Sequence, residues 1–419
     1  MPEPTDPMPP PERHEALHAG LARFPAALFQ FDPRIAEGWL TDRYFLRSVG
    51  TLALAGRDPQ VTMQVFAKRD GVLAGVYEVL RLIETQLPPQ LPGGRPCVAA
   101  DCVRVETLLE GDRVEPWETA MLIHAPYRCL AHLETPLLGT LARRSLVASN
   151  VRRVIDAAAG KTVIFMGARH DDWRVQTADG YAAQVGGVRQ VSSDAGGAWW
   201  GARGVGTIPH ALIAAFGGDV VAATLAFTRY VRAEEPDVGI VSLVDYHNDV
   251  VADSLAVARA MRTEFGPGVL RGVRVDTSER LVDRSLQDIA PARGERLAGV
   301  SERLVRLLRE RLDLAGFPDV GIVVSGGFTP ARIVAFEARG VPVMAYGVGS
   351  SLLGHNRGEE DGLLTSFDFT ADIVCLDGRP QSKVGRELRR NPRLVPIDWT
   401  RVRTGAGATP AARGGGRAA

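Results

Sequence analysis

Apolar residues follow different periods along this chain, and the period changes near residue 125. Before that point, residues 60–66 alternate between apolar and polar, and residues 97–123 form two such runs around a Gly111-Asp112 turn, which is typical of antiparallel strands. Residues 72–87 show the spacing of a helix. Between residues 130 and 159 the spacing predicts two long amphipathic helices.

After Gly160, short apolar runs alternate with amphipathic segments, as expected of parallel β-α-β units. The predicted strands are residues 162–166, a weaker one near Val220, and residues 239–244, 270–275, 320–324 and 341–346. The predicted helices are residues 211–216, 250–265, 295–313 and 330–339. A β-rich first domain followed by an α/β domain is therefore expected.

Two neighbouring units of this second part end their strands in glycine-rich turns. Ser325-Gly326-Gly327 follows one run, and Gly347-Val348-Gly349-Ser350 follows the next. Glycine lets backbone N–H groups approach an anion, and a helix N-terminus adds positive partial charge. A single turn could equally be a tight turn and nothing more. The tandem pair favours a phosphate site, of the kind found after the last strands of α/β barrels.

Polar side chains follow other predicted strands where those strands end. Arg169 and His170 come after the first strand, Asp245 after the strand at 239–244, and Asp276 after Arg274. Because carboxyl ends of parallel strands meet at one edge of a sheet, these groups are expected to converge on one mouth. His210 precedes a predicted helix; considered alone, a single histidine favours a structural role.

The composition restricts the kinds of binding partner and the cellular compartment that are expected for this chain. The chain of 419 residues has 49 basic and 49 acidic side chains, and zero net charge argues against nucleic acid as the main partner. No apolar run has the length of a membrane span, and the Pro/Glu-rich start lacks signal-peptide features, so a cytoplasmic protein without membrane contact is expected. The chain has four cysteines, and no second cysteine pair or histidine cluster accompanies Cys97 and Cys102 to complete a zinc site. Free thiols in a reducing compartment are therefore expected.

The order and spacing of these motifs resemble those of the nicotinate phosphoribosyltransferase family across residues 31–402. The main motifs are Thr41-Asp42-Arg43-Tyr44, Gly167-Ala168-Arg169-His170, Gly206-Thr207-Ile208-Pro209-His210, Gly272-Val273-Arg274-Val275-Asp276, Ser325-Gly326-Gly327 and Gly347-Val348-Gly349-Ser350. Further matching segments are residues 61–66, 132–139, 243–245, 369–374 and 377–386.

The resemblance implies an α/β fold: an incomplete TIM-like α/β barrel plus a β-rich α+β N-terminal domain that the C-terminal segment rejoins. The expected domains are the β-rich domain (31–125), the barrel with its helical entry (126–372) and the rejoining segment (373–403). Composition predicts disordered tails at residues 1–30 and 404–419. The family also implies a homodimer with shared active sites.

The activity implied by the resemblance is the joining of nicotinate to phosphoribosyl pyrophosphate, which forms nicotinate mononucleotide and pyrophosphate in NAD biosynthesis. Positioning and charge stabilisation would dominate this chemistry. Mg²⁺ is expected to be held mainly by the substrate pyrophosphate rather than by protein ligands. ATP is the expected co-substrate, because His210 matches the histidine that family members phosphorylate to couple ATP hydrolysis to synthesis.

The resemblance also assigns roles to side chains. Arg169 would hold the nicotinate carboxylate or the pyrophosphate, Arg274 would grip the pyrophosphate, and Asp276 would lie near the ribose hydroxyls. Tyr44 would stack on the pyridine ring from the partner subunit. The residues expected to bind the 5′-phosphate through backbone N–H groups are Gly326, Gly327, Gly349 and Ser350. The remaining expected substrate-site residues are Asp42, Met166, His170, Thr207, Asp245, Ser325 and Gly347.

Three places depart from the family's common pattern. Met166 stands where a phenylalanine is frequent, residues 277–279 are Thr-Ser-Glu where Ser-Gly-Asp is frequent, and residues 171–174 also differ. Two alternatives therefore stay open. One is a quinolinate phosphoribosyltransferase, which decarboxylates and lacks the phosphorylated histidine. The other is a non-catalytic relative that binds a phosphoribosyl ligand. A generic sugar-phosphate barrel enzyme would leave Tyr44 and His210 unexplained.

Overall fold

The computed structural model describes residues 10–88 and 97–404. The chain divides into two compact units, one of residues 1–148 together with 366–419, and one of residues 149–365. The divisions at 148/149 and 365/366 differ from the sequence-based boundaries at 125/126 and 372/373. Among the described residues, no helix is both long and apolar enough to cross a membrane.

Helices and short strands alternate in the first part of the chain. The helices are α1 (Pro10–Arg23), α2 (Arg43–Leu54), α3 (Val76–Thr85), α4 (Ala99–Cys102), α5 (Tyr127–Leu130) and α6 (Glu134–Ala157). The strands are β1 (Gln60–Ala67), β2 (Gly71–Val72), β3 (Arg104–Thr107), β4 (Arg113–Val114) and β5 (Thr119–Pro126).

The second unit follows, and the chain then returns to the first. The strands of the second unit are β6 (Thr162–Phe165), β7 (Gln190–Val191), β8 (Ile240–Leu243), β9 (Leu270–Val275), β10 (Gly321–Val324) and β11 (Ala345–Val348). Its helices are α7 (Gln176–Val185), α8 (Asp194–Gly197), α9 (His210–Ala215), α10 (Val220–Glu234), α11 (Val250–Phe265), α12 (Glu302–Leu314) and α13 (Pro330–Ala338). The returning elements are β12 (Phe369–Leu376), β13 (Arg379–Pro380), β14 (Val395–Pro396) and α14 (Trp399–Thr404).

The larger sheet of the first unit is antiparallel, in the order β13-β12-β1-β5-β3-β14. β1 pairs with β12 on one side and with β5 on the other, and every residue of β1 after Gln60 is buried. β14 pairs with β3 at the far side. The structure thus confirms the β-rich N-terminal domain rejoined by the end of the chain.

The sheet of the second unit has the order β7-β6-β11-β10-β9-β8, and all its pairings are parallel. β7 and β8 are its outermost strands, so the sheet does not close on itself, and the expected incomplete α/β barrel is confirmed. Ile164, Val323 and Ala345, from three neighbouring strands, pack together on one face. Because all strands run the same way, their carboxyl ends lie at one edge.

Several details of the predicted pattern are wrong. The strand predicted at residues 341–346 is observed at Ala345–Val348, and the two long helices predicted between residues 130 and 159 are chiefly one helix, Glu134–Ala157. The segment near Val220 is not a strand but the start of α10, because the Asp219 carboxylate caps it by accepting a 2.8 Å hydrogen bond from the Ala222 N–H. The helix predicted from residue 295 begins only at residue 302, where Ser301 is the N-cap. The two-residue strand β7 was not predicted, since two residues are too short to show a period.

The tail predicted to be disordered through residue 30 is helical in its described part. Within α1, Leu17 and Leu21 are at most 1% exposed, and Arg13 forms a 2.5 Å ion pair with Asp112. The composition argument overlooked these apolar residues, which anchor the helix to its own unit. Residues 1–9 and 405–419, which complete the predicted tails, lie outside the described residues.

Candidate active site

A cavity of 2280 Å³ in the second unit takes in the carboxyl ends of the parallel strands. Asp245 is absent from its lining but contacts a lining residue, as described below. The sequence-predicted residues that line it are Met166, Arg169, His170, Thr207, His210, Arg274, Asp276, Ser325, Gly326, Gly327, Gly347, Gly349 and Ser350. The predicted convergence of these groups within the second unit is therefore observed.

The first glycine turn has a conformation that only glycine adopts easily. φ is +85° at Gly326 and +69° at Gly327. A Cβ on Gly326 would lie 3.2 Å from Oδ1 of Asp276, and the Ser325 hydroxyl donates a 2.8 Å hydrogen bond to that same oxygen. The turn after β10 is thus tied to the end of β9, and α13 follows with Thr329 as its N-cap.

The second glycine segment differs from the predicted turn, because Gly347 and Val348 are the last residues of β11 and only Gly349 and Ser350 follow the strand. Close packing, rather than positive φ, constrains both of its glycines. A Cβ on Gly347 would lie 2.7 Å from Sδ of Met166, and a Cβ on Gly349 would lie 2.8 Å from Nε2 of His170. Both separations are shorter than van der Waals contact. At Gly347 the flexible Met166 side chain would have to move, whereas at Gly349 a Cβ would also lie 2.9 Å from the Met166 backbone oxygen, which cannot move aside easily. Burial, with the charges of Arg169 and His355 nearby, lowers the pKa of His170, which is therefore neutral at neutral pH.

Two arginines give this end of the cavity positive charge. Nη2 of Arg274 lies 3.9 Å from Oδ2 of Asp276, and burial lowers the pKa of Arg274 while Asp276 and Asp245 oppose that shift. Arg169 is exposed, and its charge reaches both Arg274 and His170. Since an arginine stays protonated despite such a shift, the pair suits an anionic ligand.

His210 and Asp245 form a pair at the start of α9. Nε2 of His210 lies 3.2 Å from both carboxylate oxygens of Asp245. The Asp245 side chain is 7% exposed and that of His210 is 47% exposed, so the carboxylate lies beneath an accessible imidazole. Burial raises the pKa of Asp245, and the adjacent His210 counteracts this. An ionised carboxylate only accepts, so Nε2–H is the donor to Asp245, and in the neutral imidazole Nδ1 then carries the lone pair.

Three buried polar atoms of cavity-lining residues have no hydrogen-bond partner among the described residues. They are Oγ1 of Thr207, Oγ1 of Thr277 and Nε of Arg274. Buried polar groups in proteins are nearly always paired, so three unpaired ones around one cavity indicate a polar ligand. Thr277 belongs to the segment that departs from the family pattern, and its side chain nevertheless borders the cavity.

The curated relatives decide the family. Nicotinate phosphoribosyltransferase pncB1 of Mycobacterium tuberculosis is 31% identical to this chain over 382 residues, a match that covers 84% of this chain and 75% of that protein. This chain belongs to the nicotinate phosphoribosyltransferase family. The model of the quinolinate phosphoribosyl transferase N-terminal domain also matches, at residues 42–145.

Solved structures support the same assignment of fold. Nicotinate-nucleotide pyrophosphorylase from Pyrococcus furiosus superposes with a TM-score of 0.69 at 30% identity, over 86% of this chain and 81% of that one. Human nicotinic acid phosphoribosyltransferase superposes with a TM-score of 0.59 at 20% identity, over 83% of this chain and 77% of that one. Proteins from Pyrococcus furiosus and from human therefore share the fold of this chain.

Two predicted site residues, Asp42 and Tyr44, belong to the first unit. The Thr135 hydroxyl donates a 2.8 Å hydrogen bond to the Asp42 carboxylate at the start of α2. The Tyr44 side chain is 58% exposed and packs on Phe45 with ring centroids 4.3 Å apart. Neither residue is part of the cavity lining in the second unit.

Sequence reasoning missed Arg332 and Thr277. The Arg332 guanidinium donates hydrogen bonds to the carbonyl oxygens of Gly326 (2.9 Å) and Gly327 (3.2 Å), directly behind the first glycine turn. The available signal was an arginine in the first turn of the helix that follows a glycine pair. Thr277 was noticed only as a departure from a motif, although it directly follows Asp276.

Proposed function

We propose that this protein joins nicotinate to phosphoribosyl pyrophosphate, with formation of nicotinate mononucleotide and release of pyrophosphate. The observation that carries the proposal is the meeting of two glycine turns, two arginines and a His–Asp pair around one cavity within the second unit. The names of the relatives agree with it, since each describes formation or pyrophosphorolysis of nicotinate nucleotide.

The glycine turns suit the 5′-phosphate of the sugar. The backbone N–H groups of Gly327 and Phe328 make no hydrogen bond to any residue of the described chain. Free N–H groups ahead of a helix N-terminus bind phosphate oxygens well. With the phosphate there, the Asp276 carboxylate, held by Ser325, is positioned to accept hydrogen bonds from ribose hydroxyls.

Arg169 and Arg274 suit the anionic ends of the substrates. As the pyridine nitrogen attacks the anomeric carbon, the bond to pyrophosphate breaks and negative charge grows on the leaving group. Arg274, whose buried Nε lacks a partner, can donate to that group. Exposed Arg169 can hold the nicotinate carboxylate or the pyrophosphate.

Mg²⁺ is proposed to enter with the pyrophosphate. The described residues contain no group of three or more His, Cys, Asp or Glu side chains arranged to hold a metal ion. Asp276, which lines the cavity, is a hard oxygen donor that fits a Mg²⁺ otherwise bound by phosphate oxygens and water. When bound, the ion would neutralise charge on the leaving group.

We propose ATP coupling through His210. With its Nε2–H held by Asp245, the imidazole presents Nδ1 as the nucleophile. Nδ1 would attack the γ-phosphorus of ATP, the bond to the ADP oxygen would break, and ADP would leave with that electron pair. Water would later cleave the N–P bond and release orthophosphate. The 47% exposure of the His210 side chain leaves room for this transfer.

A cytoplasmic homodimer is proposed as the working form. Tyr44 is 58% exposed and Trp39 is 64% exposed, in the same part of the first unit. Such large exposed aromatic side chains are enriched at protein interfaces. Tyr44 would then reach a partner's pyridine ring, since it is not among the lining residues of the cavity in its own chain's second unit.

The deciding assay measures pyrophosphate release from nicotinate, phosphoribosyl pyrophosphate and Mg²⁺, with and without ATP. ATP-stimulated release with nicotinate and none with quinolinate is the expected result. Quinolinate-dependent release would instead support the quinolinate enzyme, whose N-terminal domain model matches residues 42–145. No release with either acid from a folded protein would support the non-catalytic relative.

His210→Ala separates coupling from synthesis in the same assay. The variant is expected to lose ATP stimulation while it retains slow ATP-independent synthesis. Equal loss of both would assign His210 to substrate binding instead. Mass spectrometry of wild-type protein incubated with ATP should show one added phosphoryl group, which His210→Ala lacks.

A further inference from the structure

Arg332, which itself lines the cavity, contacts the carbonyl side of the first glycine turn through an unusual set of acceptors. Its Nη1 donates to the carbonyl oxygens of Gly326 and Gly327, at 2.9 and 3.2 Å. Its Nη2 donates to the carbonyl oxygen of Val300 at 2.5 Å. One guanidinium thus holds three backbone carbonyl groups, and no carboxylate forms an ion pair with it in the described chain.

The direction of these hydrogen bonds fixes the direction of the free N–H groups. The peptide bonds of this turn are trans, so each N–H points away from the carbonyl oxygen of the preceding residue. Arg332 draws the oxygens of Gly326 and Gly327 to one side. The N–H groups of Gly327 and Phe328 therefore point to the other side, where they make no hydrogen bond to any described residue.

The bond to Val300 joins the turn to a second element of the cavity rim. Val300 immediately precedes Ser301, the N-cap of α12, and lines the cavity itself. Val300 lies 32 residues from Arg332 in sequence, so this contact is purely tertiary. A guanidinium has five donors in a fixed fork and can hold both segments in register, as a lysine cannot.

Aromatic rings hold the guanidinium in place. The Arg332 Cζ lies 4.1 Å from the ring centroid of Phe328 and 5.7 Å from that of Phe336. Both phenylalanine side chains are buried, so the side chain of Arg332 has little freedom to leave the turn. Burial lowers the pKa of Arg332 to about 10, which still leaves it charged at neutral pH.

We propose that Arg332 is a positioning residue that orients the backbone N–H groups of the Gly326–Gly327 turn toward the substrate's sugar phosphate and links this turn to the start of α12. The inference rests on the proposed phosphate site. It adds that a residue outside the glycine motif sets the affinity of that site. Its positive charge polarises the same peptide groups and so strengthens their N–H donors.

The test measures direct binding rather than turnover. Ribose 5-phosphate and inorganic pyrophosphate are each titrated into the full chain by calorimetry, for wild type, Arg332→Gln, Arg332→Lys and Arg339→Gln. Arg339 follows α13, lines the same cavity and pairs with Glu302, so its variant controls for loss of a nearby positive charge. Circular dichroism checks that each variant is folded.

Arg332→Gln should weaken ribose 5-phosphate binding at least tenfold and change pyrophosphate binding less than twofold. The ribose 5-phosphate affinity of Arg332→Lys should lie between those of Arg332→Gln and wild type, since lysine keeps the positive charge but lacks the planar set of guanidinium donors. If Arg332→Gln does not fold, the ribose 5-phosphate affinity of Arg332→Lys, compared with that of wild type, is the test. Arg339→Gln should remain within twofold of wild type for both ligands. If Arg332 only maintained the fold, its substitution would weaken the binding of ribose 5-phosphate and of pyrophosphate to the same extent.

Some outcomes would overturn the inference independently of the proposed function. Ribose 5-phosphate affinity within twofold of wild type in folded Arg332 variants would remove Arg332 from the site, even if the enzyme releases pyrophosphate normally. Conversely, a wild-type protein that never releases pyrophosphate but loses ribose 5-phosphate binding on Arg332 substitution would support the inference while the proposed activity fails. A wild-type protein that does not bind ribose 5-phosphate would overturn the inference and the phosphate site together.

Discussion

Two helices of this protein follow left-handed glycines, and they differ in what meets the backbone N–H groups at or just before the start of the helix. At α3, Gly75 (φ +92°) is the N-cap, and the Glu110 carboxylate accepts hydrogen bonds from the N–H groups of Gly75 (2.7 Å) and Tyr77 (3.2 Å). At α13, the N–H groups of Gly327 and Phe328 meet no acceptor in the described chain. At the start of α3 the acceptor is an acidic side chain of the protein itself, whereas the N–H groups before α13 are available to a ligand.

This difference shows that a glycine ahead of a helix does not by itself mark a binding site. The backbone of both turns can hold an anion, because unsatisfied N–H groups and the helix dipole are general features. What distinguishes the turn before α13 is that no described residue accepts a hydrogen bond from its Gly327 and Phe328 N–H groups, while a guanidinium binds its carbonyl oxygens. Substitutions at each of the two helix starts test this difference.

Gly326→Ala should have the largest effect. Alanine at φ +85° is strained, and its Cβ would lie 3.2 Å from the Asp276 carboxylate, so the turn must shift. We expect kcat/KM to fall about 100-fold, roughly 3 kcal/mol, with folding retained. Gly340→Ala, at φ +59° with no atom of the described residues within 4 Å of the new Cβ, is the matched control and should keep kcat/KM within about twofold. Equal activities would mean that the first turn binds nothing.

Glu110→Ala should affect stability rather than activity. The change leaves backbone N–H groups at the start of α3 without an acceptor, which is expected to lower the free energy of unfolding by about 2 kcal/mol. Guanidinium unfolding curves measure this loss. The KM for phosphoribosyl pyrophosphate should not change. A selective rise in that KM would mean that the first unit's helix start also serves the substrate.

The pH dependence of stability offers a smaller effect with a defined sign. Burial raises the pKa of Glu110 from 4.5 to about 7 in the folded protein. The folded state therefore holds a proton that the unfolded state releases between these values, and the free energy of unfolding falls as pH rises through the interval. The slope from this group is at most about 1.4 kcal/mol per pH unit.

Glu110→Gln provides the comparison for that slope, because glutamine does not titrate. Unfolding curves at several pH values between 4.5 and about 7 should show a smaller decline with pH in the variant than in wild type. Parallel pH profiles for the two proteins would assign the decline to other groups and would contradict the shifted pKa of Glu110.

Thr277→Val should have the smallest effect. The Thr277 hydroxyl is buried without a partner in the described chain, so its removal should leave stability within about 0.5 kcal/mol of wild type. If the hydroxyl binds substrate, the KM for phosphoribosyl pyrophosphate should rise about fivefold, roughly 1 kcal/mol. Thr224→Val, which removes a hydroxyl bonded to Ser242 at 2.8 Å, should show the reverse: lower stability and the same KM.

The sequence predicted β10 well because this strand is apolar on both faces. Ile322, Val323 and Val324 are at most 1% exposed, so the continuous apolar run was a sound signal. In β9 the buried Val273 and Val275 alternate with Arg274, so that strand was predicted from a weaker pattern. Val220 misled the analysis because a β-branched residue favours strands locally. The Asp219 cap and the helical spacing of buried residues in α10 prevail there.

The site was predicted as a set of strand ends, and its internal contacts were not. The pairing of His210 with Asp245 joins elements 35 residues apart, and the linkage of Arg332 to Val300 spans 32 residues. Local spacing carries no information about such contacts. The unpaired hydroxyl of Thr277 could be recognised only once the burial of every neighbour was known.

A crystal structure of the protein with ribose 5-phosphate would test the central claim most directly. The account predicts phosphate oxygens about 3 Å from the backbone nitrogens of Gly327 and Phe328, with Arg332 still bonded to the carbonyl groups behind them. A phosphate bound elsewhere in the cavity, with the N–H groups of this turn facing water, would contradict it.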